Sequence, residues 1–260
     1  GRICTMLGIF LLVKSPDDYI LAAFLQACTP LIAGIFSIVW LRKRYTGLFK
    51  WPTIGEIINS YKEGWSIFVS SLAVNLYTAT NIVVLGMLTN NVIVGYYSAA
   101  DKLITCVRRG IYAVSDAIYP FISKMMKDDI SKGLQFIKKQ IFLYLVVGLI
   151  GCTSLFFFSD TIVKLLFGAD YNLTVDVLRI LSFVPLAVAI STVFGEETML
   201  PLNMNSAYSR TLVLAAFFSL LSIFPLCYLW GAKGVAMTML LTEFLIMIIM
   251  GGLLRKQLFQ

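Results

Sequence analysis

Five charged side chains lie within one otherwise apolar stretch of this 260-residue chain. The stretch runs from Val94 to Pro120, and its charged residues are Asp101, Lys102, Arg108, Arg109 and Asp116. A charge at the centre of a bilayer costs about 3 kcal/mol on insertion scales, so charges in spans usually face a water-filled cavity, a partner charge or a polar ligand. The stretch therefore predicts a binding site for a polar, anionic ligand inside a membrane protein.

The spacing of these charges fits a helix. Asp101 and Arg108 are seven residues apart, and so are Lys102, Arg109 and Asp116, which places two adjacent stripes on one helix face. We expect the three cations to contact the ligand and the two acids to tune them. In the alternative interpretation, the acids only pair with neighbouring cations and the two arginines extend to the lipid headgroups.

The preceding apolar segment carries a polar stripe of its own. Ser71, Asn75, Thr78 and Asn81 follow one another at intervals of four, three and three residues, which places them on one helix face. Because only residues 89–91 separate this segment from the charged one, we expect the two polar faces to meet. The stripe either lines the ligand cavity or forms hydrogen bonds between helices.

Buried acids are candidates for binding a coupling ion, either a proton or sodium. We select Asp116, in the charged span, and Glu243, deep within the last apolar segment. Glu196 and Glu197 stand at the end of their apolar segment, where we expect them to be solvated.

Composition indicates an all-α polytopic transmembrane helix bundle. The chain is 59% hydrophobic and 13% charged, whereas a soluble domain is about 25% charged, and its mean hydropathy is +0.86. It has no histidine, and its five cysteines form no CxxC pair, so we expect no metal and no cofactor. The net charge of +7 lies mainly in loops, which argues against a nucleic-acid partner.

Apolar segments and breaks between them predict three regions. Residues 1–50 are the end of an N-terminal lobe, with a partial span at 3–13 and a full span at 19–41; residues 51–63 are an interfacial linker helix; residues 64–260 are a six-helix lobe. Because the chain starts with Gly1 and a short apolar run, we expect it to be the C-terminal part of a longer protein. The six spans of the lobe are predicted at 64–88, 92–120, 140–158, 174–194, 210–230 and 233–254.

The basic residues predict the orientation. If the block from Arg42 to Lys62 is cytoplasmic, the C-terminus is cytoplasmic too, and only Lys14, Lys164 and Lys233 face the other side. This arrangement satisfies the positive-inside rule at every loop.

Several segments resemble one family of membrane proteins. They are YKEGWSIFVSSLAVNLYTATNIVVLG, then VGYYSAADKLI with SDAIYPFISKM, then LLFGADY followed by VLRILSFVPL. In order and spacing the chain resembles bacterial O-antigen and capsular polysaccharide flippases of the multidrug/oligosaccharidyl-lipid/polysaccharide exporter superfamily.

The resemblance implies twelve spans in two six-helix lobes around a cationic cavity. Such proteins move undecaprenyl-diphosphate-linked oligosaccharide from the cytoplasmic to the periplasmic leaflet of the bacterial inner membrane by alternating access. The chain would hold the second lobe and the last one to two helices of the first. The family's cavity cations match Lys102 within AADK most directly, and Arg108 and Arg109 less directly, while Asp101 replaces a glutamate common in relatives. Implied partners are the lipid-linked oligosaccharide, membrane lipids, a polysaccharide polymerase and a chain-length regulator.

Three other functions are open on the residues alone. A multidrug/cation antiporter of the same superfamily would need acids in its cavity, whereas the deep charges here lean positive. A membrane-embedded polysaccharide polymerase or glycosyltransferase would carry its catalytic residues in a sizeable external loop, and the external loops here are short. A structural membrane protein would have no use for five charges in one span. We therefore expect a transporter rather than an enzyme.

Overall fold

The computed structural model describes residues 2–14, 18–44, 52–168 and 170–259, and within these ranges the regular structure is entirely helical. This confirms the predicted all-α fold class. Lys50 and Trp51, the ends of two predicted regions, lie outside the described residues. The helices are α1 (Arg2–Leu12), α2 (Tyr19–Arg44), α3 (Ile54–Leu88), α4 (Asn91–Asp128), α5 (Ile130–Phe167), α6 (Asn172–Leu181), α7 (Val184–Phe194), α8 (Asn205–Trp230) and α9 (Ala232–Phe259), with a π-helical turn at Gly195–Met199.

The chain divides into two compact units, Gly1–Asn59 and Ser60–Gln260. In the first unit, the hydroxyls of Thr5 and Thr29 form a hydrogen bond between α1 and α2. Thr53 begins α3 with a capping box: its backbone N–H donates to the Glu56 carboxylate at 2.8 Å, and the Glu56 N–H donates back to the Thr53 hydroxyl. The backbone and hydroxyl donors of Thr53 hold the pKa of Glu56 below its usual value.

The predicted interfacial helix and the first predicted span of the lobe belong to one helix, because α3 is continuous from Ile54 to Leu88. The helix-weakening residue at the expected junction is Gly64, and a single glycine costs a helix only about 1 kcal/mol relative to alanine. With no proline there, nothing ends the helix. Its apolar section, Gly64–Leu88, is long enough to cross a membrane.

Six helical segments within the described residues are long and apolar enough to cross a membrane. They confirm a polytopic membrane protein. Five of the six spans predicted in the lobe correspond to these segments. The sixth predicted span lies in α4, which is helical throughout but carries too many charged residues to be counted among the apolar segments. The segments are Ile20–Arg44, Gly64–Leu88, Ile130–Phe167, Asn172–Met199, Asn205–Trp230 and Ala232–Arg255.

Side-chain caps position the charged helix α4. Asn90 accepts a hydrogen bond from the Ile93 N–H at its start. At its end Asp129 caps the next helix, α5, by accepting hydrogen bonds from the Ser131 and Lys132 N–H groups. The Lys132 N–H, and to a lesser extent the Ser131 N–H, holds the pKa of Asp129 below its usual value. Pro120 lies inside α4, which continues to Asp128.

The core of the second unit surrounds α7. Each residue of α7 from Val184 to Val193 is buried. One apolar cluster joins α4, α6 and the α8–α9 hairpin, and a second joins α3, α8, α9 and the distal part of α4. The segment from α6 to the π-helical turn, Asn172–Met199, is therefore the central segment of the lobe, against which the other helices pack.

The hairpin between α8 and α9 requires glycine. Gly231 has φ +55°, in the left-handed region. A Cβ at Gly234 would lie 1.9 Å from the Leu226 carbonyl oxygen, so the two helices approach each other backbone to backbone.

Candidate functional site

A cavity of about 520 Å³ lies between α3, α4, the π-helical turn and α8. Its wall is rich in hydroxyls and carries an amide, and the charged residues among its described lining are two acids, Asp116 and Glu196. A cavity of this kind can hold water, a cation or a polyhydroxylated ligand. The polar lining residues are Ser70, Ser71, Asn75, Tyr112, Ser115, Asp116, Tyr119, Glu196 and Tyr208.

The π-helical turn explains how Glu196 reaches this cavity. A π turn inserts one extra residue into the helix and so changes the direction of the side chains that follow. Its i to i+5 hydrogen bond runs from the Leu200 N–H to the Gly195 carbonyl at 3.1 Å. Glu196 faces the cavity, whereas Glu197 is fully buried.

A smaller chamber of about 50 Å³ lies behind the cavity. Tyr112, Glu196 and Tyr208 line both spaces. Tyr77 and Glu243 line only the inner one. A chamber of this volume is large enough for a water molecule. The two spaces share a polar wall that leads from Asp116 toward Glu243.

Glu243 forms a buried ion pair with Arg108. The distance from Arg108 Nη2 to Glu243 Oε1 is 3.5 Å, and the side chains are 11% and 4% exposed. The Tyr77 hydroxyl donates to the same Glu243 oxygen at 3.1 Å. Glu243 thereby connects α3, α4 and α9, and Arg108, predicted as a ligand-binding cation, is engaged by a carboxylate.

Lys102 and Arg109 have a different environment. Both are exposed on α4, on the same face as Asp116 because all three recur at seven residues. Seven residues of helix rise about 10.5 Å. The polar face of α4 thus has a cationic section at Lys102 and Arg109 and an acidic section at Asp116, beside Glu196. Asp101 is half-buried next to the cationic section.

The predicted polar stripe of α3 divides between the two expected roles. Ser71 and Asn75 line the cavity. Thr78 is half-buried, and its hydroxyl donates to the Val74 carbonyl at 2.8 Å. Asn81 is 2% exposed, so it lies among packed helices rather than in the cavity. The first half of the stripe is cavity wall, and the second half is interior packing.

The expectation that Glu196 and Glu197 would be solvated is wrong for Glu197. Glu196 is half-buried in the cavity wall, and Glu197 is fully buried and accepts a hydrogen bond from Gln140 Nε2 at 2.5 Å. The apolar residues Met199 and Leu200, which follow the acids after Thr198, indicate that the span continues past them. No cluster of three metal-binding side chains occurs among the described residues.

The chain is similar in sequence to proteins of polysaccharide biosynthesis and O-antigen transport. Residues 2–126 match a family described as "Polysaccharide biosynthesis protein". A protein named "Putative O-antigen transporter" from Shigella dysenteriae is 31% identical over 241 residues, and its namesake from Escherichia coli K12 is 30% identical over 243. The "Capsular polysaccharide biosynthesis protein CapF" of Staphylococcus aureus is 27% identical over 184 residues. No solved structure matches the chain significantly.

The alignments cover 93%, 91% and 69% of this chain, in the same order. The chain spans 60% and 57% of the length of the two O-antigen transporters, and 45% of the capsular protein. These similarities confirm the predicted resemblance to proteins of O-antigen transport and capsular polysaccharide biosynthesis. A transporter name for the relatives is also consistent with the geometry of the lobe, in which apolar helices surround a cavity with a polar lining.

Proposed function

Because the chain is a relative of proteins named as O-antigen transporters, we propose that it forms part of a flippase for lipid-linked oligosaccharide. The flippase moves undecaprenyl-diphosphate-linked repeat units from the cytoplasmic to the periplasmic leaflet of the bacterial inner membrane by alternating access. The observation that carries this proposal is the divided polar face of α4, with its cations above a hydroxyl-lined cavity in an otherwise apolar bundle.

Lys102 and Arg109 bind the diphosphate. Both side chains are exposed, so their donors are free to reach a ligand, and hydrogen bonds from cations to phosphate oxygens are about twice as strong as neutral ones. Arg108 acts indirectly, because Glu243 engages its guanidinium. Asp101, half-buried beside these cations, positions them.

The cavity holds the sugars. Its wall offers hydroxyls and the Asn75 amide, which donate to and accept from sugar hydroxyls. Thr78 and Asn81, deeper along the same helix, support this wall from behind.

The acids take the coupling cation. Asp116 lines the cavity, and Glu243 lines the inner chamber next to Arg108. Glu196 lines both spaces and joins the two sites. A cation entering this path lowers the repulsion between the acids and an anionic substrate.

The orientation follows from the basic residues. The C-terminus and the basic end of α2, Arg42–Arg44, lie in the cytoplasm. The protein consists of twelve spans in two lobes, of which residues 64–260 are the second. Its partners are the lipid-linked oligosaccharide, membrane lipids, a polysaccharide polymerase and a chain-length regulator.

A second candidate function is a cation antiporter of the same superfamily. The observation that favours it is the negative charge of the cavity lining, whose charged residues are Asp116 and Glu196. Such a transporter would depend on the acids, whereas a flippase depends on Lys102 and Arg109 as well.

The test is complementation of a flippase-deficient strain with the full-length protein. We expect Lys102→Ala and Arg109→Ala each to reduce surface polysaccharide at least tenfold at normal protein abundance. Lys127→Ala, an exposed cation at the end of the same helix, is the matched control and retains display. Normal display by both cavity variants would overturn the proposed diphosphate site. Normal display by both together with drug sensitivity in Asp116→Asn would favour the antiporter.

A further inference from the structure

Glu197 is a carboxylate in the interior of the lobe that has no charged partner among the residues the structure describes. It is fully buried. It accepts a hydrogen bond from Gln140 Nε2 at 2.5 Å, and none of the ion pairs found among the described residues includes it. An ionised carboxylate in such surroundings is costly unless a positive charge neutralises it.

Three oxygen atoms at this carboxylate and beside it form no well-aligned hydrogen bond among the described residues, although Ser115 lies next to Glu197 and Gln140 lies next to Tyr144. They are Glu197 Oε1, Gln140 Oε1 and the Tyr144 hydroxyl, and each is buried. Gln140 and Tyr144 are four residues apart on α5, so they lie on one side of that helix, one turn apart. Glu197 and Gln140 are 0% and 6% exposed, so bulk water does not satisfy them.

The kind of atom indicates the ligand. Carboxylate, amide and hydroxyl oxygens are the ligands that hard cations prefer. One carboxylate with two neutral oxygens has a single negative charge, so a monovalent ion makes the buried site neutral, whereas a divalent ion would leave it charged. A proton would neutralise the carboxylate but would give a partner to one further oxygen only.

The backbone around Glu197 fits such a role. The π-helical turn at Gly195–Met199 directs Glu197 toward α5, while Glu196 next to it faces the cavity. π turns occur frequently at functional sites, and interrupted helices in transporters often carry their ion sites. Glu197, Gln140 and Tyr144 line neither the cavity nor the inner chamber. Ser115, which lies beside the Glu197 carboxylate, does line the cavity, so this place is next to the cavity without being part of its lining.

We propose that Glu197, Gln140 and Tyr144 bind one sodium ion, which connects α5 to the π-helical turn after α7. The ion replaces the missing charge partner of Glu197 and gives partners to all three oxygens. The ion stabilises the central segment of the lobe, Asn172–Met199. This proposal does not require that the protein be a flippase.

Thermal unfolding of the purified full-length protein in detergent tests the site. Melting curves are recorded with increasing NaCl at constant ionic strength, with choline chloride as the replacement salt. We expect the native protein to show a saturable rise in Tm of about 3 °C. Glu197→Gln should abolish the rise. Tyr144→Phe, which preserves the ring, should raise the half-saturating sodium concentration several-fold.

Asp160→Asn is the matched control, since it removes an acid of α5 that pairs with Lys164 away from this site, and it should keep the sodium response. A response that persists in Glu197→Gln would assign the ion to other acids and overturn the proposal. A native protein whose Tm does not respond to sodium would also overturn it. Neither result bears on surface polysaccharide display, so the flippase proposal fails or stands separately.

Discussion

Arg108 and Glu243, on helices that are far apart in sequence, form an ion pair inside the bundle with 3.5 Å between Nη2 and Oε1. The Tyr77 hydroxyl completes the arrangement from a third helix. Removing one member of a buried pair leaves an uncompensated charge, while removing both members does not.

We therefore expect Arg108→Ala to lower the free energy of unfolding by about 3–5 kcal/mol. The double variant Arg108→Met, Glu243→Met should recover most of that loss, because neither charge remains in the interior. Denaturant unfolding in detergent measures both. A double variant as unstable as Arg108→Ala would show that the pair is not a coupled unit.

The close contact between α8 and α9 predicts a large effect of one methyl group. Gly234→Ala places a Cβ 1.9 Å from the Leu226 carbonyl oxygen, so the helices must separate, and we expect a loss of about 1–3 kcal/mol in unfolding free energy. Gly252→Ala on the same helix has open space around its Cβ and should be neutral or stabilising. Equal effects of the two substitutions would contradict the backbone contact.

The exposed face of α4 predicts the reactivity of its cysteine. Cys106 is exposed between Lys102 and Arg109, whereas Cys152 and Cys227 are buried. A charged maleimide should label Cys106 in the membrane-embedded protein at least tenfold faster than Cys152 or Cys227, each as the sole cysteine. Val147→Cys, exposed on α5, tests water access apart from exposure. If Val147→Cys reacts as fast as Cys106, the charged face is not preferentially hydrated.

Asp129 predicts a pH effect at the junction of α4 and α5. Its folded-state pKa is lowered by the backbone N–H groups it accepts from, so its contribution to stability is present above the ordinary carboxyl pKa and is lost as pH falls through the folded value. Acidification from about pH 6 to about pH 3 should lower the Tm of the native protein more than that of Asp129→Asn. The asparagine retains the helix cap but does not titrate. An equal fall in Tm in both proteins would mean that Asp129 does not contribute to the pH dependence of stability.

Much of the fold could be predicted because hydrophobicity and helical period are local. The apolar segments gave the spans of the lobe, and spacing at seven residues placed Lys102, Arg109 and Asp116 on one exposed face of α4. The partnership of Arg108 with Glu243 could not be predicted, since it depends on how distant helices align. Burial of Glu197 depends on the π-helical turn, in which one additional residue changes the direction of the side chains.

Pro120 connects the hydration of the cavity with the bending of α4. It has no N–H, so the main-chain carbonyl of Asp116, four residues earlier, lacks its usual helical donor. Asp116 can thus offer a water molecule or a cation two acceptors, its carboxylate and its carbonyl. A helix bends more easily where such a hydrogen bond is missing. A bend at this point would move the lysine-rich end of α4 relative to Asp116.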